Sequence, residues 1–212
     1  MARVLVLTAD AAEELDSMYP VFRLREGGHE AIVTAPTTRA VKLVVHDFEP
    51  GWDAYTEKPG HLLPVDLAFA DVDPADYDAL VIPGGRAPEY IRTDPDVARI
   101  VGHFFDRDLP VGTICHGPQV PAALGLLRGR TTAGYPPLKF DLEQAGATFV
   151  DEPDAVDGAM VSCRGWPGHA RFPRSSTSAP RCAADLPGPA EARCSRSHRE
   201  ASQWSNSGSG ER

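Results

Sequence analysis

At 212 residues and 42% hydrophobic side chains, the chain is sized for one domain with a real core. A net charge of −9, with a pI near 5.2, argues against a nucleic-acid partner. No apolar stretch approaches the roughly 20 residues that a membrane helix needs, which argues against a membrane partner.

The N-terminal run Arg3 to Ala9 (RVLVLTA) reads as a buried strand rather than a secretory signal, because acids and amphipathic sequence follow at once. Residues 11 to 28 have helical spacing, with Leu15, Met18, Val21, Phe22 and Leu24 mostly on one stripe. Gly27 and Gly28 stop the helix, and Pro20 is expected to kink it. HEAIVTAP is a second strand, completing a strand–helix–strand unit that implies a parallel sheet. AVKLVVHDF reads as a strand and EPGWDAYTEKPGH as a loop, with turn signals at Pro50-Gly51 and Pro59-Gly60.

DALVIPGG is a buried strand ending in a Gly-Gly turn, followed by an amphipathic helix that begins near Asp94 or Asp96. LPVGTIC is the next strand, and HGPQVPAALGLLRG the next helix, closed by Gly129. YPPLKFDLEQAGA reads as a helix, TFV as a short strand, and AVDGAMVSC as a hairpin turning at Asp157-Gly158. Strands alternating with helices predict a three-layer α/β fold.

Composition changes abruptly after residue 167. From Gly168 to Arg212 there is no Ile, Val, Met or Lys; seven Arg stand against four acids, so this segment is +3 while residues 1–167 are −12. Such a stretch buries too little apolar surface to offset its chain entropy. It reads as a disordered tail, either a native arm or the product of a GC-rich coding region read out of frame. The domain is therefore expected to span residues 1–167.

Four cysteines (Cys115, Cys163, Cys182 and Cys194) form no CxxC pair, which suggests neither a zinc site nor a disulfide framework and points to a reducing cytoplasm. Cys115 stands where the strand LPVGTIC must turn sharply into a helix, between Gly112 and Gly117 and beside His116. In α/β sheets ligands bind at the carboxyl ends of strands, and a tight strand-to-helix turn holds a nucleophile exposed and strained. A helix N-terminus there would favour thiolate over thiol, so a lowered pKa is expected. The bland alternative is a small buried core cysteine.

VIPGGRAPEY (Val81 to Tyr90) followed by VGTICHGPQ resembles the ThiJ/PfpI family from about Arg3 to Trp166. The resemblance implies a flavodoxin-like sandwich related to class I glutamine amidotransferases, and cofactor-free chemistry. It makes Cys115 the nucleophile beside His116, and the N–H groups of Gly85 and His116 an oxyanion hole. Glu89 becomes the acid that the protease branch lends to a neighbouring subunit, which implies a homo-oligomer. The family's acid beside the thiol lies four residues before a proline, which is Asp16 here, one methylene shorter than the usual Glu. Glu13, one turn earlier, reads as a solvated acid at a helix start, with a secondary contribution open to it. Tyr135 falls where the protease branch has a tyrosine near the thiol. His46 and His61 lie in a stretch resembling an insertion of the plant-like glyoxalase branch, where they read as structural; Cys163 reads as core. The family's last helix has no counterpart in the atypical tail, which predicts exposed apolar surface.

These assignments lead to a cysteine enzyme acting on 2-oxoaldehydes such as methylglyoxal, a glyoxalase or deglycase, with Asp16 or His116 moving the proton. The alternatives are an intracellular cysteine peptidase, isocyanide-hydratase-like chemistry, and a redox sensor or holdase using the same thiolate. An amidotransferase is disfavoured because His169 has no following Glu.

Overall fold

The computed structural model describes residues 1–166 and 169. The tail predicted from residue 168 onward lies outside the described residues except for His169. That residue is buried against the domain, so the domain's contacts reach beyond the boundary at 167.

In chain order the elements are β1 (Arg3–Leu7), α1 (Glu14–Glu26), β2 (Glu30–Ala35), β3 (Val41–Asp47), β4 (Thr56–Leu63), β5 (Leu67–Ala68) and β6 (Ala79–Ile82). There follow α2 (Ala87–Ile91), α3 (Pro95–Asp106), β7 (Val111–Ile114), α4 (Gln119–Ala123), β8 (Thr131–Thr132), α5 (Lys139–Gln144), β9 (Thr148–Phe149), β10 (Asp154–Asp157) and β11 (Met160–Cys163). Seven strands make the central sheet in the order β10-β11-β7-β6-β1-β2-β5. Every pairing in it is parallel except β10 with β11, so the fold is the mixed α/β arrangement around a largely parallel sheet that the alternation of elements predicts. Leu5, Leu7, Leu80, Ile82 and Ile114 fill the strands with fully buried side chains, which is why these runs read as continuous rather than alternating.

From β1 the chain winds outward to β2, then returns to β6 on the other side of β1 and continues to β7. The order therefore reverses beside β1, and a crevice opens beyond the carboxyl ends of β1, β6 and β7. Three turns meet there: Ala11–Glu13, Gly84–Gly85 and Cys115–Pro118. Isolated bridges tie Ala12 to Gly85 and Glu13 to Val44.

Several expected elements differ. The stretch predicted as a loop contains β4, which pairs antiparallel with β3; Pro59 and Gly60 sit within this strand, outside the main sheet, where a missing ladder donor is tolerated. The helix expected after Cys115 is only five residues long. Pro118 and Pro121 withhold amide donors, and the chain leaves the helix at Leu124. Helix α1 runs unbroken through Pro20, and its buried face shares Met18, Val21 and Leu24 with the predicted stripe but takes in two polar residues in place of Leu15 and Phe22. Asp16, Ser17, Val21 and Leu24 point inward, whereas Leu15 and Phe22 are 48% and 57% exposed. A face that buries a carboxylate cannot be found by following apolar residues alone.

Candidate active site

Cys115 occupies a left-handed backbone conformation (φ 55°), and Ala11, across the crevice, does too (φ 62°). Such conformations cost about 1–3 kcal/mol each and persist only where surrounding bonds impose them. At Cys115 they do: its N–H donates to the Cys163 carbonyl at 2.9 Å and its carbonyl accepts from the Tyr135 N–H at 3.0 Å. Ala11 is pinned likewise, donating to the Lys42 carbonyl and accepting from the Arg86 N–H, both at 2.8 Å. Glycine is required in the turn between them. A Cβ on Gly84 would strike Cys115 Cβ and the Asp16 carboxylate; one on Gly85 (φ 79°) would strike the backbone of Ala11 to Glu13.

The sulfur lies 3.3 Å from His116 Nδ1, and the backbone N–H groups of Gly85 and His116 both act on it, drawing its pKa down. Burial outweighs them. With Cys115 only 9% exposed, desolvation pushes the thiol well above its usual range, and the nearby Asp16 and Glu13 carboxylates push the same way. The expected lowered pKa is therefore corrected: a five-residue helix supplies little dipole, and burial beside two acids favours the neutral thiol. Burial, together with His46, lowers the His116 pKa to about 4, so its ring is neutral at physiological pH. Thiol and imidazole then form a neutral pair in contact through Sγ and Nδ1, with the ring tautomer setting which of them donates.

Two carboxyls close the site from α1. Glu13 caps the helix, its Oε2 accepting from the Asp16 N–H at 2.7 Å while Oε1 has no hydrogen-bond partner among the described residues. It is 1% exposed, so the solvated reading of Glu13 does not hold. Burial first and the Asp16 charge second raise its pKa to about 7, despite opposing backbone N–H groups, and its side chain lines the cavity that holds Cys115. Asp16 lies behind, fully buried, with Oδ1 3.2 Å from His169 Nε2: close enough for an ion pair, but not aligned as a hydrogen bond. Burial raises the Asp16 pKa, while His169 pulls it down. The His169 ring stacks on Tyr19, centroids 5.1 Å apart.

The cavity has a volume of about 550 Å³. Glu13 and Cys115 lie on its wall with His46, Tyr55, Tyr135 and Trp166. Tyr135 tilts over His116 at 5.0 Å, and Tyr55 meets both rings edge-on. Among the described residues no group of three or more His, Cys, Asp or Glu could hold a metal ion, and no helix is long and apolar enough to cross a membrane.

A model of the DJ-1/PfpI family matches residues 2–178. The chain belongs to the DJ-1/PfpI family. It is 43% identical over 162 residues to a deglycase of Pyrococcus abyssi, covering 76% of this chain and 89% of that one. It is 39% identical over 178 residues to protein DJ-1 homolog D of Arabidopsis thaliana, covering 80% of this chain and 45% of that protein. The solved structure of Drosophila melanogaster DJ-1beta superimposes with a TM-score of 0.68 at 24% identity, covering 81% of this chain and 86% of that one; this likeness concerns the fold alone.

In this DJ-1/PfpI domain the residues singled out in the sequence separate into two groups. Cys115, His116, Gly85, Asp16, Glu13 and Tyr135 converge on the crevice, whereas Glu89 stands exposed on α2 and does not line the cavity. Cys163 is buried beside β7, where burial raises its pKa to about 12. His61 is exposed and holds Glu14 from outside. His46, read as structural, instead lines the cavity, and Tyr55 and His169 carried no signal in the sequence beyond their chemistry. Pairing of β3 with β4 brings His46 and Tyr55 in, and that pairing was hidden by the Pro-Gly step within β4.

Proposed function

We propose that the protein is a cofactor-free, cysteine-dependent glyoxalase or deglycase acting on 2-oxoaldehydes such as methylglyoxal and on their fresh adducts with amines, in the cytoplasm. The observation that carries the reading is a poised acid in the thiol's cavity: Glu13, with a pKa of about 7, beside Cys115, whose sulfur meets two backbone N–H groups and a neutral imidazole. Relatives at about 40% identity that bear the name deglycase support it.

The chemistry follows from the resting state. The sulfur attacks the aldehyde carbon as its proton passes to His116 and on to the aldehyde oxygen, forming a hemithioacetal; the N–H groups of Gly85 and His116 hold the oxygen as charge develops. Glu13 then removes the proton on that carbon, the electron pair forms a carbon–carbon double bond, and the neighbouring carbonyl oxygen takes up a proton. Return of the Glu13 proton to the second carbon, with loss of the hydroxyl proton from the first, leaves a thioester. Water cleaves it to a 2-hydroxy acid and free thiol. The first carbon is oxidised as the second is reduced, so no external oxidant is needed. A group with a pKa near 7 suits both halves of such a shuttle.

An intracellular cysteine peptidase is the second reading, favoured by Glu89 standing exposed on α2, where a neighbouring copy's Cys115 could meet it in a homo-oligomer. The burial of Cys115 weighs against a redox sensor, which needs an accessible thiolate. The deciding experiment gives purified protein methylglyoxal without glutathione, and casein in parallel. Lactate is expected; casein cleavage without lactate would replace this reading by the peptidase.

A further inference from the structure

His46 lies on the cavity wall, is nearly fully buried, and is held by a chain of charges. Its Nε2 is 3.2 Å from Glu57 Oε2. Glu57 in turn receives both arms of Arg86, Nε at 2.7 Å and Nη2 at 2.6 Å. Arg86 follows Gly85 directly, so the clamp fastens the β3–β4 hairpin to the turn whose N–H faces the sulfur. Tyr55 stacks on the His46 ring at 4.0 Å and fixes its plane.

Arg86 holds Glu57 at a pKa of about 2, so it is an acceptor only, and Nε2 must be the protonated nitrogen. Nδ1 is left to exchange a proton. Resting on the glyoxalase reading above, we propose that His46 is a further acid–base residue of this site, and that Glu57 and Arg86 are its positioning residues. The isomerisation needs two proton handlers. Glu13 takes the proton from the first carbon; His46 Nδ1–H donates to the oxygen on the second as that oxygen gains electron density, and takes a proton back when the thioester forms. Protons and electrons balance, and no co-reactant enters.

The groups facing His46 are Glu57 from β4, Tyr55 just before it, Glu13 and Asp16 from the start of α1, and His116 beyond Tyr55.

The test compares wild type, His46→Gln and Glu57→Gln in lactate formation from methylglyoxal across pH 5–9, with iodoacetamide alkylation of Cys115 as a measure of an intact elbow. His46→Gln is expected to lower kcat by roughly 10²- to 10⁴-fold, while alkylation changes less than about threefold. Glu57→Gln keeps the ring but removes its ion partner, so the alkaline limb of the kcat profile should move to lower pH. A merely structural His46 would leave that limb in place. Near-wild-type kcat in His46→Gln, or an unmoved limb in Glu57→Gln, overturns the assignment; if His46→Gln does not fold, the Glu57→Gln limb decides. Wild type without any lactate overturns the glyoxalase reading itself and this assignment with it, an outcome distinct from an active wild type with an active His46→Gln.

Discussion

The two walls of the cavity handle charge in opposite ways. On the elbow side, Cys115, His116, Glu13 and Asp16 are buried with too few partners, and desolvation pushes each toward its neutral form. On the hairpin side, Glu57 and Arg86 are half-buried but paired through two short hydrogen bonds, and pairing holds both ionised. Burial without a partner favours a group's neutral form, while a bidentate partner removes it from titration. Reactive groups belong to the first kind, and the groups that hold others in place belong to the second.

Removing the thiol should have the largest effect. Cys115→Ser is expected to lower turnover by about 10⁴-fold or more, because no other group on the wall can form the covalent adduct. The neutral elbow makes a sharper claim. Alkylation of Cys115 should still accelerate between pH 8 and 9, since burial holds the thiol above its ordinary range. A rate that levels off below pH 7 would show a thiolate–imidazolium pair and erase the contrast between the walls.

The carboxyls come next. Glu13→Gln is expected to lower kcat by roughly 10²- to 10⁴-fold and to remove the profile limb near pH 7. Asp16→Asn should lose less, because Asp16 is sealed behind the wall against His169 and does not line the cavity. Equal kcat in Glu13→Gln and wild type, with a loss confined to Asp16→Asn, would return the role to the carboxyl that the family resemblance favours.

How much of this was legible in the sequence follows the same division. Strand runs such as Val4–Leu7 and Ala79–Ile82 are apolar on both faces and announce a parallel sheet; the glycine pair before Arg86 and the turn at Cys115 announce where the chain must come close. The sign of the thiol's pKa was not legible, because desolvation depends on what covers the sulfur. Nor was the burial of Glu13, since an acidic helix start looks the same whether it faces water or a cavity; Asp16 was reached only through the family resemblance. His46 could be found only through the register of β3 on β4, which pairs it with Glu57 across a stretch that punctuates like a loop.

Stability offers smaller effects, and opposite signs for one substitution made on the two walls. Glu13 has a folded-state pKa of about 7, above its unfolded value, so the unfolded chain gives up its proton first as pH rises. Stability is lost from about pH 4.5 to 7, and Glu13→Gln should therefore stabilise the protein at pH 8 by about 1–3 kcal/mol, with the gain gone near pH 4. Urea denaturation of both proteins at the two pH values measures it.

For Glu57 the sign reverses. Its folded-state pKa of about 2 lies below the unfolded value, so its contribution is present above about pH 4.5 and is lost as pH falls toward 2. The carboxylate is 29% exposed and Arg86 37%, so solvent screens the pair and the full shift does not appear as stability. A bidentate Arg–carboxylate pair that also fixes a buried ring is worth more than an isolated surface ion pair, and about 1 kcal/mol is expected. Glu57→Gln should thus destabilise the protein by that amount at pH 7 and by clearly less at pH 3, measured by urea denaturation. If it instead stabilises at pH 7, as Glu13→Gln should at pH 8, desolvation outweighs pairing on the hairpin wall as well, and the two walls do not differ in kind.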